Sequence, residues 1–359
     1  MPTHRNILIT GGAGFVGSNL AVWLKSRNPE MSVTAADSLR RRGSEVNLPR
    51  LREHGIEFLH CDIRNAEDLR LDERKFDLIL ECSAEPSVLA GFGEAPDYLI
   101  NTNLVGTINC LELARRSGAD LIFLSSSRVY PIASVNRAAT YETATRFALS
   151  DDQTLPGMSV AGISERFPLE GSRSLYGATK LCSELLIHEY GAMYGLRYVI
   201  NRCGVIAGPW QMGKVDQGVF ALWMAKHYFG GGLSYIGWGG TGKQVRDLLH
   251  VDDLAELIDA QLARFGEVTG ETYNVGGGSQ CNLSLRETTD LCHEITGRSI
   301  SISAVPDNRP ADLKLYITDN ARVTAATGWV PRRTPRDVLA SIYGWLREEE
   351  PLVRHLWLS

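Results

Sequence analysis

The stretch ILITGGAGFVGSNL, residues 7–20, constrains the fold more than any other part of the chain. The apolar run that ends at Thr10 reads as a buried strand, and the run from Gly17 to Asn28 reads as a helix. Gly11, Gly14 and Gly17 fall in the turn between them. Glycines there permit a tight turn and let an anion approach the helix N-terminus, where N–H groups and the helix dipole favour negative charge. The spacing therefore predicts a dinucleotide cradle.

The pattern of strand followed by helix continues through the first two thirds of the sequence, which predicts an α/β fold built on a doubly wound parallel sheet. Strands are expected at 6–10, 32–37, 57–62, 77–82, 120–126 and 197–202, and helices at 17–28, 103–118 and 180–195. From about Gly204 the texture changes to glycine-rich loops such as FGGGLSYIGWGGTGK. Residues 1–203 are thus expected to form the dinucleotide-binding domain and 204–359 mainly a smaller substrate-binding lobe, with segments near 244–275 returning to the first.

The 359 residues are 44% apolar, enough for a sizeable core, and carry a net charge of −5. That balance gives no general attraction to nucleic acid or an anionic membrane. No apolar run approaches the roughly 20 residues of a membrane span, and the first residues lead straight into a strand, so the expected compartment is the cytoplasm. Seven scattered cysteines without C-x-x-C and eight dispersed histidines without H-E-x-x-H suggest neither a disulfide framework nor a metal site.

Asp37 ends the second predicted strand, twenty residues beyond Gly17. A carboxylate there accepts hydrogen bonds from the adenosine ribose and repels a 2′-phosphate, which favours NAD over NADP. Arg40, Arg41 and Arg42 stand nearby and blunt that preference. Asp62 and Ile63, after the third strand, are placed to meet the adenine amino group and ring.

Ser126 ends the fifth strand, and Tyr176 and Lys180 follow about fifty residues later. Four residues apart on a helix, tyrosine and lysine share a face, so the ammonium can lower a phenol pKa that is ordinarily near 10. Ser126 would then hold a substrate oxygen, Tyr176 would take its proton, and a hydride would leave for the nicotinamide.

Together with TGGAGFVG, SSSRVY and YGATK, the stretches NTNLVGTIN, GKQVRDLLHVDDL, NVGGG and RPADLKLYITD complete a set that resembles the extended short-chain dehydrogenase/reductase family of nucleotide-sugar epimerases and dehydratases. The resemblance covers nearly the whole chain. It implies bound NAD and adds Phe15, Val16, Ser38, Cys82, Ser83, Ala84 and Asn103 to the cofactor contacts. For the substrate it implies a nucleotide-diphosphate sugar, with Arg246 and Arg309 on the diphosphate and Arg128, Lys214 and Gln217 as further contacts. It also implies a homodimer or tetramer paired through long helices, one of which carries Tyr176 and Lys180.

Within the family, sugar 4,6-dehydratases carry an Asp-Glu pair where this chain has Ser127 and Arg128, and a 3,5-epimerase branch has cysteine in place of Arg128. Oxidation followed by re-reduction, hence epimerisation, is the chemistry left. The stretches YETATRF, GISERFPLEG and KVDQGVFALW resemble a branch acting at C2 of CDP-linked dideoxyhexoses. Val205, where UDP-galactose 4-epimerases have asparagine, and ECSAEP at 81–86 depart from the 4-epimerase pattern. A UDP-sugar 4-epimerase, or an NAD-binding sensor without catalysis, are the alternatives.

Overall fold

The computed structural model describes residues 4–213 and 217–357. Among them, seven parallel strands form the central sheet: β1 Asn6–Thr10, β2 Ser32–Asp37, β3 Glu57–His60, β4 Leu78–Glu81, β5 Asp120–Ser126, β6 Tyr198–Cys203 and β7 Glu271–Val275. Their order is β7-β6-β5-β4-β1-β2-β3. The chain winds outward from β1 to β3 and then crosses to β4 on the other side, so a crevice opens at the carboxyl ends of β1 and β4. The fold is the doubly wound sheet expected, and its first six strands agree with the sequence reading to within two residues.

Side chains alternate across this sheet. Ile7, Ile9, Leu78, Leu80, Ile122 and Leu124 face one side, and Leu8, Ile79, Leu121 and Phe123 the other. Four helices cover the two faces: α1 Phe15–Arg27, α2 Gly106–Ser117, α3 Leu175–Tyr194 and α4 Val251–Ala263. Leu20 and Leu24 of α1 and Leu254, Leu257 and Ile258 of α4 join the first core; Leu111 and Ala114 of α2 and Ile187 of α3 join the second.

The third predicted helix begins five residues earlier than expected. Ser174 caps it, its Oγ accepting from Gly177 N–H at 3.2 Å, and Gly195 ends it at φ +70°. Gly177 weakens the helical signal in the sequence, yet the position must be small: a Cβ there would lie 2.1 Å from the Arg128 carbonyl oxygen. The first turn of α3 is thereby pressed against the turn that follows β5, which brings Tyr176 to Ser126.

A smaller sheet joins 205–207, 245–250, 282–284 and 315–316. Helices at 219–229, 285–296 and 335–348 pack beside it around Phe220, Met224, Val338, Ile342 and Trp345. Residues 245–250 thus belong to this smaller sheet, whereas α4 and β7 lie with the large one. Among the described residues no helix is long and apolar enough to cross a membrane.

Candidate active site

One cleft runs along the carboxyl edge of the large sheet and continues over the smaller one. On its first wall, Gly11 sits at φ +64°, and a Cβ on Gly17 would stand 2.2 Å from the Gly11 carbonyl oxygen. Gly14 caps α1 without a side chain, and the first turn holds no acidic residue, so its N–H groups are left to an anion. Asp37 braces the same turn: its carboxylate accepts from Leu39 N–H at 2.8 Å and Ala13 N–H at 3.2 Å. Burial pushes its pKa up while these backbone bonds pull it down. This wall fits a dinucleotide: a turn in which a Cβ finds no room, an uncapped helix N-terminus and a carboxylate at the tip of β2.

Phe15, Val16, Ser38, Ile63, Cys82, Ser83 and Ala84 line this half of the cleft, as does Asp62. The Asp62 carboxylate, however, is held by Arg64, whose Nε donates to both oxygens at 2.9 and 3.0 Å, and this pairing lowers its pKa. Asn103 is not on the wall. Its amide donates to the Glu85 carbonyl at 3.1 Å and accepts from Glu85 N–H at 2.7 Å, bracing the loop after β4. The three consecutive arginines all border the cleft and have partners: Arg40 lies 4.2 Å over the Tyr98 ring, Arg41 donates to Gln217 and to the Met212 carbonyl, and Arg42 donates to the His355 carbonyl.

Ser126, at the end of β5, and Tyr176, in the first turn of α3, meet where the two walls join. Ser126 Oγ accepts from Arg128 N–H at 3.1 Å. Burial raises the Tyr176 pKa, and its hydrogen bond with Ser126 and the charge of Arg128 lower it. Lys180, one turn further on, does not reach the cleft surface; it is 2% exposed, with Nζ 4.3 Å from the Phe123 ring centroid. Arg128, which sequence reasoning gave only to the substrate, therefore joins the groups that draw the Tyr176 phenol down.

The second wall is cationic. Arg128 Nη1 donates to the Ala311 carbonyl at 3.1 Å, and Arg246 Nη2 donates to Asp312 Oδ1 at 3.0 Å and the Leu313 carbonyl at 2.7 Å. Burial, with repulsion from Arg246 and Arg309, pushes the Arg128 pKa down to about 10, against the attraction of Asp312. Three guanidiniums and one carboxylate meeting in a half-buried wall favour an anion with several oxygens, as a diphosphate has. Gln217 lines the cleft as well, and Lys214 lies outside the described residues. Asp312, Gln244 and Trp210 belong to the wall and were not singled out; the signal for Asp312 was its place in RPADLKLYITD beside Arg309.

A dinucleotide cradle facing a half-buried arginine wall fits an enzyme that pairs a nucleotide cofactor with an anionic substrate. The chain belongs to the NAD dependent epimerase/dehydratase family, which residues 7–276 match, and NAD is accordingly its cofactor. It is 30% identical over 346 residues to the CDP-paratose 2-epimerase of Salmonella typhi, spanning 94% of this chain and 98% of that one. The UDP-glucose 4-epimerase of Thermus thermophilus, solved in complex with NAD, superposes with a TM-score of 0.74 at 25% identity, covering 96% of this chain and 99% of the other. A double mutant of the dTDP-glucose 4,6-dehydratase of Streptomyces venezuelae, solved with NAD, gives 0.76 at 27% identity over 98% and 99%. Membership fixes the cofactor, and these relatives differ in the sugar carbon their names specify.

Proposed function

We propose that this chain is an NAD-dependent 2-epimerase of a CDP-linked dideoxyhexose, interconverting CDP-paratose and CDP-tyvelose. The observation that carries the reading against dehydration is the turn after Ser126, where Ser127 and Arg128 stand in place of an acid-base pair and the Arg128 guanidinium lines the cleft. A guanidinium keeps its protons near neutrality and serves as neither acid nor base. The overall similarity to a CDP-paratose 2-epimerase supports the choice of carbon and nucleotide.

The β1–α1 turn and Asp37 would hold NAD, which would supply a reversible hydride acceptor for the sugar. Ser126 Oγ holds the C2 oxygen while Tyr176 Oη takes the hydroxyl proton, leaving a 2-keto sugar. Arg128, Arg246 and Arg309 keep the diphosphate in place as the sugar turns to present its other face. Tyr176 then gives the proton back to the C2 oxygen, so hydride and proton are both restored. Leu185, Met193 and Tyr194, large and exposed on α3, support pairing with a second copy through that helix. Seven cysteines without a disulfide among them support a reducing compartment, the cytoplasm.

The purified protein incubated with CDP-paratose and NAD should produce CDP-tyvelose, followed by NMR of the sugar. No conversion, with NAD bound, would refute the substrate assignment. Turnover of UDP-glucose or UDP-N-acetylglucosamine in its place would establish a 4-epimerase.

A further inference from the structure

Glu81 closes β4 inside the protein, with no exposed surface. In the parallel register it stands beside Phe123 of β5, so both side chains emerge on the face covered by α2 and α3. Phe123 is the ring that carries the Lys180 ammonium. One Glu81 carboxylate oxygen accepts from Thr107 Oγ1 at 3.0 Å, and the other is buried with no hydrogen-bond partner.

A second carboxylate on the same layer shows what full satisfaction looks like. Glu184 of α3 receives three hydrogen bonds from the Arg202 guanidinium, at 3.1, 3.1 and 2.7 Å, and a fourth from Ser125. Its charge is thereby committed. Glu81 has no such partner, and an enclosed carboxyl with an empty oxygen is costly unless a nearby cation offsets it. The thiols near Glu81 and Lys180, Cys82, Cys110 and Cys203, are all pushed up by burial and hence neutral. Thr107 and Cys110 come from α2, and Lys180 comes from α3.

We propose that Glu81 is the counter-ion of Lys180, a positioning residue that keeps the ammonium charged behind the Tyr176 base. The proposal rests on the reading of Lys180 as part of the proton-transfer machinery. Burial disfavours the charged form of Lys180 and Glu81 favours it, while burial pushes the Glu81 pKa up to about 7 against the pull of Lys180. Ionised Glu81 thus favours the ammonium form of Lys180 against the effect of burial.

The test is a double-mutant cycle on the full chain saturated with NAD, using Glu81→Gln, Lys180→Met and both together. Glutamine keeps an acceptor for Thr107 and removes only the charge. At pH 8, the Tm change caused by Glu81→Gln should be less favourable in the presence of Lys180 than in the Lys180→Met background, by about 2 °C or more. At pH 5.5, with Glu81 protonated, that difference should vanish. Equal changes in both backgrounds at pH 8 would overturn the proposal, since Glu81 would then serve Thr107 alone.

If Glu81→Gln does not fold, the pH dependence of Tm in wild type and Lys180→Met decides instead. Loss of the ammonium should move the Glu81 titration upward by about one pH unit, and an unmoved titration would overturn the pairing. In turnover, Glu81→Gln should bring the alkaline limb of the pH profile down by about one unit, with Glu81→Asp restoring it; a purely structural loss would lower the rate without moving the limb. The cycle needs no substrate. A positive cycle without turnover of CDP-paratose would therefore uphold the pair and fault the substrate assignment alone.

Discussion

The two walls of the cleft are built by different means. The cofactor wall is mostly backbone: Gly11, Gly14 and Gly17 shape one turn, α1 presents its N-terminus, and Asp37 ties that turn to the tip of β2. The substrate wall is mostly side chain, drawn from the turn after β5, the strand at 245–250 and the loop at 309–312, and held by a balance of guanidinium and carboxylate charge. Loss of space should therefore break the first wall, and loss of charge or hydrogen-bond geometry the second.

Tyr176 stands where the walls meet, so Tyr176→Phe should leave both intact and remove the reaction. We expect turnover to fall about 10²–10⁴-fold, with NAD and CDP-sugar affinities unchanged by calorimetry. A variant that kept its rate would displace Tyr176 as the base.

Gly17→Ala attacks the cofactor wall alone. Its Cβ must displace the Gly11 carbonyl, and overpacking of about 1–3 kcal/mol corresponds to a loss of about 5–150-fold in NAD affinity, with binding of CDP unaffected. Arg246→Lys attacks the other wall. Loss of the forked donor geometry should raise the KM for nucleotide sugar about 10-fold and leave NAD binding as it was. If either substitution weakened both ligands equally, the distinction between the walls would fail.

A further effect is electrostatic and touches neither wall directly. Burial raises the pKa of Glu81 to about 7 and that of Asp247 to about 6, so the folded protein holds these protons more tightly than the unfolded chain does. Stability should then decline as pH rises from the ordinary carboxylate range through about 7 and level off above it. Thermal melts from pH 5 to 8 should show the decline, and Glu81→Gln should make it shallower.

How much could be read from the sequence follows the same division. The β1–α1 turn and the strand pattern are local, written in glycine spacing and alternating apolar runs, and the structure has them where the sequence placed them. The start of α3 was misplaced because Gly177 lowers helix propensity, whereas a long-range contact with the Arg128 backbone demands it. Arg64 on Asp62, Asn103 on the Glu85 backbone and Asp312 on Arg246 are choices among several possible partners, which spacing alone does not distinguish. The relation between Glu81 and Lys180 was hidden for the same reason: it depends on strand register between β4 and β5 and on α3 lying across Phe123.

The central claim, that a hydride leaves the sugar at C2 and the same hydride returns, is tested most directly with CDP-paratose deuterated at C2, converted in ordinary water. The account predicts CDP-tyvelose that retains deuterium at C2. Product in which solvent hydrogen has replaced that deuterium would contradict it.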